Sequence, residues 1–540
     1  MKLLRVEVIA AVTCGGLLDD LAIQMKATPA HDLPFAPLCL IGANGAGKSQ
    51  FLQVLAEMFQ SAFHACLPEQ ERREGNPALQ FSLEYVIPLE GTGQAHVRIS
   101  RRMENKRLKL RIERREQSVW IECPVDDPNT AKFLPAKIVG YTSGDNETLS
   151  LPFLISRSGY ADEVGKRALS ESPDAEGIPD TRLMLVDYGT HLEVLVANLL
   201  LGEDEQRTAL LNDARLSDLH SFRCIIQLAH GAVNRAPKRK AKVGRKGVQL
   251  TQELEHYIDQ LMKCSTCHTY DPKSETYVLD FKISSATKEA FHSYFAGPLD
   301  LYGALHKLAM LNDLAIPRAA RERFKRDTNS RLFASRLPEP QDEDKVFRFE
   351  RVTFVGSKPG SSVEYVSLSD GEHQLVQLLG TFCMLSFRNV LFLLDEPESH
   401  FNPQWRVKFL SRINALPTKG GNRSDKNSEV SSQECLLTTH SPFVPSDMRR
   451  ENVIIFQKEG ERLATHRPDI ETYGTTFDSI LEECFQVRPP ISEIPKDEIV
   501  DLMASADVDK IKEGLDRLGA SVEKVYLEDH LKTLSTGKGA

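Results

Sequence analysis

The sequence predicts an α/β fold: a mixed central sheet and a small antiparallel β-subdomain, built from two distant stretches of chain with a large helical insertion between them. Three observations predict it. An apolar run, Leu38 to Ile41, enters the glycine-rich loop Gly42-Ala43-Asn44-Gly45-Ala46-Gly47-Lys48-Ser49, and a helix-period segment follows to Phe63. The period changes to two between Phe81 and Trp120. Far downstream a second apolar run, Val390 to Leu394, ends in the acids Asp395 and Glu396.

The chain has 540 residues, 41% of them hydrophobic, enough for two to four domains with substantial cores. A net charge of -9 argues against a protein that coats nucleic acid over its whole surface. Ten cysteines are scattered without a disulfide-like pattern, so a reducing, cytoplasmic compartment is expected. No apolar run approaches bilayer length, and no membrane association is expected. Lys2 and Arg5 before Val8-Ile9-Ala10-Ala11-Val12 resemble a weak signal peptide, but Glu7 interrupts the run and Leu4, Val6 and Val8 alternate as in a strand.

Residues 1–150 read as strand, connection, strand, loop and helix, followed by the β-subdomain. In the helix, Phe51, Leu52, Leu55, Met58 and Phe59 share one face and should pack under the sheet. Strand candidates follow at Phe81–Ile87, His96–Ser100 and Arg107–Ile112. In the last, Leu108, Leu110 and Ile112 face one way and Arg107, Lys109 and Arg111 the other. That basic face is read as solvated, with phosphate tracking the sharper alternative. Ala136 to Tyr141 is a strand whose polar end, Ser143 to Glu147, is a candidate nucleotide-lining segment.

Residues 151–345 read as a mainly helical insertion. Leu183–Leu201 is rich in Leu and Val, Gln249–Met262 is amphipathic, and Ala286–Leu314 breaks near Gly297-Pro298. Arg235 to Lys246 holds seven positive charges and no acid, a solvated loop or a contact for nucleic acid or an acidic partner. Cys264 and Cys267 lack a second pair at zinc spacing and read as ordinary thiols. Pro338–Lys345 is a polar linker. Residues 346–485 return to strands and carry the second half of the site. Within them Lys419–Ser432 is Gly, Asn and Ser rich and reads as disordered. Residues 486–540 read as a tail of two or three short helices.

The loop at 42–49 has the Walker A pattern. Its glycines let successive N–H groups turn toward phosphate oxygens, and the helix start adds a positive dipole end. Lys48 would reach the β- and γ-phosphates of ATP and Ser49 would hold Mg2+. Val390 to Glu396 is a Walker B arrangement: Asp395 would hold Mg2+ through water and Glu396 would polarise the attacking water. Cys435 to Thr439 is a strand ending in His440, placed to bond the γ-phosphate and that water.

With these motifs in order, together with Leu368-Ser369-Asp370-Gly371-Glu372 and Ser399-His400-Phe401-Asn402-Pro403, the chain resembles the ABC-type ATPase superfamily, in the branch of SMC-like and OLD-like proteins. The resemblance covers roughly residues 1–150 and 346–485. It implies a P-loop ATPase head that dimerises head to tail on ATP, with Ser369 and the Gly371 backbone touching the γ-phosphate bound by the other copy. Asp370 stands where the commoner form has glycine, and its charge should slow or condition closure. Within this branch the chain is similar to the restriction-system-associated AAA family ATPases of phage defence, the PtuA type of Septu systems. The softer features behind that likeness are Tyr141 to Gly144, Thr472 to Thr475, Phe477-Asp478 and Gly519 to Lys524. It implies antiphage defence, slow or conditional ATP hydrolysis, a homodimer or higher oligomer, and a separately encoded, PtuB-like HNH nuclease as partner. The chain shows no nuclease motif, and the stretch after Cys484 is too short for the Toprim domain of OLD proteins. A DNA-repair ATPase of the SMC or RecF kind, clamping DNA, is the alternative. A transporter ATPase subunit and a non-hydrolysing scaffold fit less well: the insertion has no place in the first, and Lys48, Asp395 and Glu396 are intact against the second.

Overall fold

The computed structural model describes residues 1–540 apart from 13–15, 27–33, 90, 92, 145–146, 168–176, 188, 213, 215, 230–244, 330–339, 357, 359, 461 and 538–540. Most of the basic run 235–246, part of the lining segment 143–147 and the start of the linker 338–345 therefore lie outside the described residues.

A seven-stranded sheet organises the molecule. Its order is Arg462–His466, Val453–Glu459, Leu38–Gly42, Glu434–Thr438, Val390–Asp395, Lys137–Thr142 and Leu183–Val186. All neighbours run parallel except the edge hairpin Val453–Glu459/Arg462–His466. The central strands are apolar along their length because both faces are covered. Alternation sorts their side chains. Leu38, Leu40, Leu391, Leu393 and Leu436 enter one core, while Cys39, Ile41, Phe392, Leu394, Cys435 and Leu437 enter another.

The helix Lys48–Cys66 fills the first core. It is buried on every side from Phe51 to Phe63, not on the single face its periodicity predicts. The reason is a second, six-stranded antiparallel sheet that covers its far side, in the order Leu21–Gln24, Lys2–Ala10, Gln80–Pro88, Gln94–Glu104, Arg107–Glu116 and Val119–Cys123. On this helix buried Gln53 donates to Oε1 of buried Glu57 at 2.9 Å. On the basic strand face of this sheet three cations pair with acids on neighbouring strands, Arg98–Glu113 at 2.8 Å, Arg111–Glu104 at 2.8 Å and Lys109–Glu122 at 3.9 Å. Such pairs contribute little stability, but they leave no uniformly positive surface there.

The insertion is less helical than its sequence suggests. Leu183–Leu201 is not one helix: Leu183–Val186 is an edge strand of the central sheet, and the helix runs from His191 to Leu201. Strands Leu216–Gln227, Cys267–Asp271 and Thr276–Lys282 join Phe347–Gly356 and Ser362–Glu364 in a five-stranded antiparallel sheet. In the first of these Leu219, Phe222, Cys224 and Ile226 are buried, and Phe222 stacks on Phe281 at 4.3 Å. Gln252–Cys264 is helical, and the break before Pro298 separates helices Ser285–Tyr294 and Pro298–Met310. Cys264 and Cys267 are free thiols, and no group of three or more His, Cys, Asp or Glu among the described residues could hold a metal ion.

Lys419–Ser432 is an ordered flap, against the expectation of disorder. Its anchor is Arg423, fully buried between the rings of Phe382 and Phe35, with guanidinium-to-centroid distances of 4.8 and 5.4 Å. Arg423 donates to the Phe382 carbonyl at 2.6 Å and to Gln433 Oε1. Composition sees the polar residues and not the single cation that fixes them. At the chain end, helices Glu493–Met503, Val508–Arg517 and Val522–Gly537 share a small core of Leu502, Ile511, Leu515 and Leu527. No helix among the described residues is long and apolar enough to cross a membrane.

Burial pushes the Arg423 guanidinium down to about 10, so its charge is held at a cost. Arg423→Ala should cost about 2–4 kcal/mol, from the cavity and the acceptors left behind. Arg423→Met keeps the stem and should cost less. Thermal melts of the two variants check the order.

Candidate functional site

The glycine-rich loop is shaped by backbone that side chains would not permit. A Cβ on Gly42 would lie 2.2 Å from the Phe456 carbonyl oxygen, so the loop leaves its strand in contact with the next one. Gly45 and Gly47 have φ of 75° and 84°, the left-handed region. Gly47 caps the helix Lys48–Cys66 without a side-chain bond, so the first helical N–H groups face the loop interior with no intrahelical acceptor. Ala43, Asn44 and Gly45 form the exposed crest; Ala46, Gly47 and Lys48 lie beneath it. Lys48 is 5% exposed and donates to the carbonyls of Gly42 at 3.0 Å and Ala43 at 3.2 Å. Burial lowers its ammonium from the ordinary value, while Glu396 and Asp395 oppose the shift.

Register brings the acids to this loop. Asp395 pairs with Thr438 on one side and Thr142 on the other, at the carboxyl ends of parallel strands. Its Oδ1 accepts from Ser49 Oγ at 2.9 Å and from Thr438 Oγ1 at 2.6 Å. Burial raises the Asp395 carboxyl, and those two hydroxyls pull it back. Thr438 Oγ1 in turn accepts from the Glu396 N–H at 3.0 Å. Glu396 adopts φ of 47°, unusual for a residue with a side chain and a mark of constraint at functional sites. His440 Nε2 lies 3.4 Å from Glu396 Oε1, and both side chains are partly exposed. Burial, followed by the Lys48 charge, lowers the His440 imidazole, which is neutral near pH 7.

Ser49, Lys48, Asp395, Glu396 and His440 thus converge on one end of the sheet. The donors, one hydroxyl and one carboxylate, fit the oxygen preference of a divalent cation such as Mg2+. Loop glycines and an uncapped helix start fit a phosphate chain.

Ser369, Asp370 and Gly371 take a different place. Ser369 caps the helix Asp370–Met384 in a reciprocal box with Glu372, its Oγ and its N–H each 2.8 Å from Glu372 Oε2. Ser369 and Asp370 are exposed. Gly371 is buried, and a Cβ there would lie 2.9 Å from the His400 carbonyl oxygen. The segment therefore packs on the loop 399–403 and presents a serine hydroxyl and a helix start at the surface. Gln374 one turn on donates to the Ser143 carbonyl at 2.8 Å.

Sequence reasoning missed Thr438, Glu398 and Thr439. The signal was present as two threonines closing an apolar strand and a second glutamate after Pro397. Glu398 is 2% exposed and burial pushes its carboxyl up to about 7.

Residues 282–447 match a family model described as an AAA domain, putative AbiEii toxin, of a type IV toxin–antitoxin system. The chain carries an AAA-type ATPase domain. The matched stretch holds Ser369–Gly371, Asp395, Glu396 and His440, while the loop 42–49 lies before the insertion and outside it. No curated protein matches. Among solved structures, the SMC head domain with an extended coiled coil, bound to the C-terminal domain of ScpA, from Pyrococcus furiosus aligns at 11% identity and TM-score 0.29, over 86% of this chain and 96% of that one. The SMC head domain from Thermotoga maritima aligns at 11% identity and TM-score 0.32, over 87% and 100%. These are distant likenesses, and the fold stands on the sheet order and loop geometry described above.

Three buried glutamates, Glu71, Glu193 and Glu398, are each raised by burial from 4.5 to about 7. The folded state then holds protons that the unfolded chain releases. The stability of the neutral forms is full below about pH 4.5 and is lost as pH rises through about 7. Glu398→Gln should remove its share, on the order of 3 kcal/mol. Melting temperatures measured from pH 5 to 8 should fall less steeply for the variant.

Proposed function

We propose that two copies of this chain bind ATP at shared seams, hydrolyse it, and use the opening and closing to control a partner nuclease. The observation that carries the ATPase reading is the knot of Ser49, Asp395 and Thr438 with Glu396 and His440 beside it. When bound with nucleotide, Mg2+ would neutralise phosphate charge between Ser49 and Asp395. Lys48 would exchange the carbonyls of Gly42 and Ala43 for phosphate oxygens, which hold its charge better. Glu396 would accept a hydrogen bond from the attacking water, and neutral His440, 3.4 Å away, would orient it. Ser369 and the Gly371 N–H would face the γ-phosphate bound by the other copy. The exposed position of Ser369 at the start of its helix supports this, and Glu372 would give up the Ser369 hydroxyl on closure. Asp370 adds a negative charge at the same seam, which favours conditional turnover.

Control of a separately encoded HNH nuclease in antiphage defence rests on the sequence resemblance to the PtuA type. A DNA clamp of the SMC or RecF kind is the second reading; the ion-paired strand face 98–116 speaks against DNA tracking there.

Lys48→Ala should lose binding of a fluorescent ATP analogue. Glu396→Gln should bind it normally, turn over about 10^2–10^4-fold more slowly, and accumulate closed dimers in light scattering with ATP. Normal turnover by Glu396→Gln would reject the assignment. Copurification with a neighbouring gene product, and ATPase assays with and without DNA, separate the defence and clamp readings.

A further inference from the structure

Glu398 lies three residues beyond Asp395 and takes no part in the roles above, yet it is almost fully buried. Stability does not account for it. Its Oε2 is buried with no hydrogen-bond partner, an arrangement that costs free energy in any protein. Its Oε1 accepts from Thr439 Oγ1, which is itself fully buried. The same Thr439 oxygen accepts from the Ser441 N–H at 2.9 Å, and the Thr439 N–H donates to the Leu40 carbonyl at 3.3 Å. Both neighbours of His440 are therefore tied to one carboxyl group and to the strand that feeds the glycine-rich loop.

The other end of the clamp is the turn that carries Glu396. The Ser399 N–H donates to the Glu396 carbonyl at 3.1 Å, and the Phe401 N–H to the Glu398 carbonyl at 3.0 Å. Arg406 holds the same turn through the carbonyls of Ser399 at 2.9 Å and Phe401 at 2.8 Å. One side chain thus joins the loop of His440 to the loop of Glu396, across two strands, and its own turn continues into residues 399–403, against which Gly371 packs.

We propose that Glu398 is a positioning residue for ATP hydrolysis: through Thr439 it sets His440 against Glu396, and it carries movement of the 399–403 loop to His440. This rests on the ATPase reading. Misplacement by about 1 Å is enough to cost about a hundredfold in rate.

Turnover and nucleotide binding of the full chain test it, in a cycle of Glu398→Ala, His440→Ala and the double variant. Glu398→Ala should lower kcat about ten- to a hundredfold with KM and the Kd of a fluorescent ATP analogue changed less than about twofold. On the His440→Ala background it should cause no further loss, because its effect passes through that residue. Glu398→Gln keeps the acceptor and should recover most of the rate, as should Thr439→Ser, whereas Thr439→Val should resemble Glu398→Ala. Additive losses in the cycle, loss of nucleotide binding in both Glu398→Ala and Thr439→Val, or unchanged kcat in Glu398→Ala would overturn the proposal. If Glu396→Gln abolishes turnover while Glu398→Ala does not, only this inference falls. If Glu396→Gln leaves turnover intact, or the unaltered chain has none, the ATPase reading falls with it.

Discussion

The Asp395 carboxylate, accepting one hydroxyl from Ser49 and another from Thr438, is the contact on which the site depends. It joins three pieces of chain that are remote in sequence: the first turn of the helix after the glycine-rich loop, the strand Val390–Asp395 and the strand Glu434–Thr438. A buried acid with no donors would be neutral or expelled. Here two hydroxyls hold it, and the surrounding geometry follows. Thr438 can serve Asp395 and the Glu396 N–H together only because the strands are parallel and in this register. A shift by one residue would send the carboxylate to the opposite face of the sheet.

The separate pieces of the candidate site were legible because each motif is local. Gly42 to Ser49 states its own loop geometry, and an apolar run ending in two acids states a buried strand that delivers carboxylates at its end. What joins them was not legible, since no local pattern says that the strand before His440 lies between the other two. Thr438 and Glu398 were missed for that reason: their roles exist only across strands. Leu368 to Glu372 has a double meaning, because Ser369 and Glu372 form a capping box that any helix could use. Elsewhere, polar composition hid Arg423, whose burial orders a segment that reads as disordered. Strand Leu216–Gln227 was hidden because a register shift between Leu219 and Ser221 breaks its alternation, leaving buried Leu219 and Phe222 three residues apart as in a helix.

The insertion is not separate from the site. Near its start the helix Asp370–Met384 is held by Gln374 to the Ser143 carbonyl, at the end of a central strand. Farther along it is held by the insertion: Gln377 donates to the Asp187 carbonyl at 2.6 Å, and Asn198 donates to the Gly380 carbonyl at 2.9 Å. Close packing makes the second contact possible, since a Cβ on Gly380 would stand 3.2 Å from Val194. The surface that carries Ser369 is therefore mounted between the nucleotide-side strands and the inserted helices.

The most direct test of the central claim, that Ser49 and Asp395 hold a divalent cation together with bound phosphates, uses Mn2+ in place of Mg2+ and electron paramagnetic resonance. The account predicts that the unaltered chain binds Mn2+ only in the presence of a non-hydrolysable ATP analogue, and that Asp395→Asn loses the ion while still folding. Equal Mn2+ binding by the Asp395→Asn chain, or Mn2+ binding indifferent to nucleotide, would contradict it.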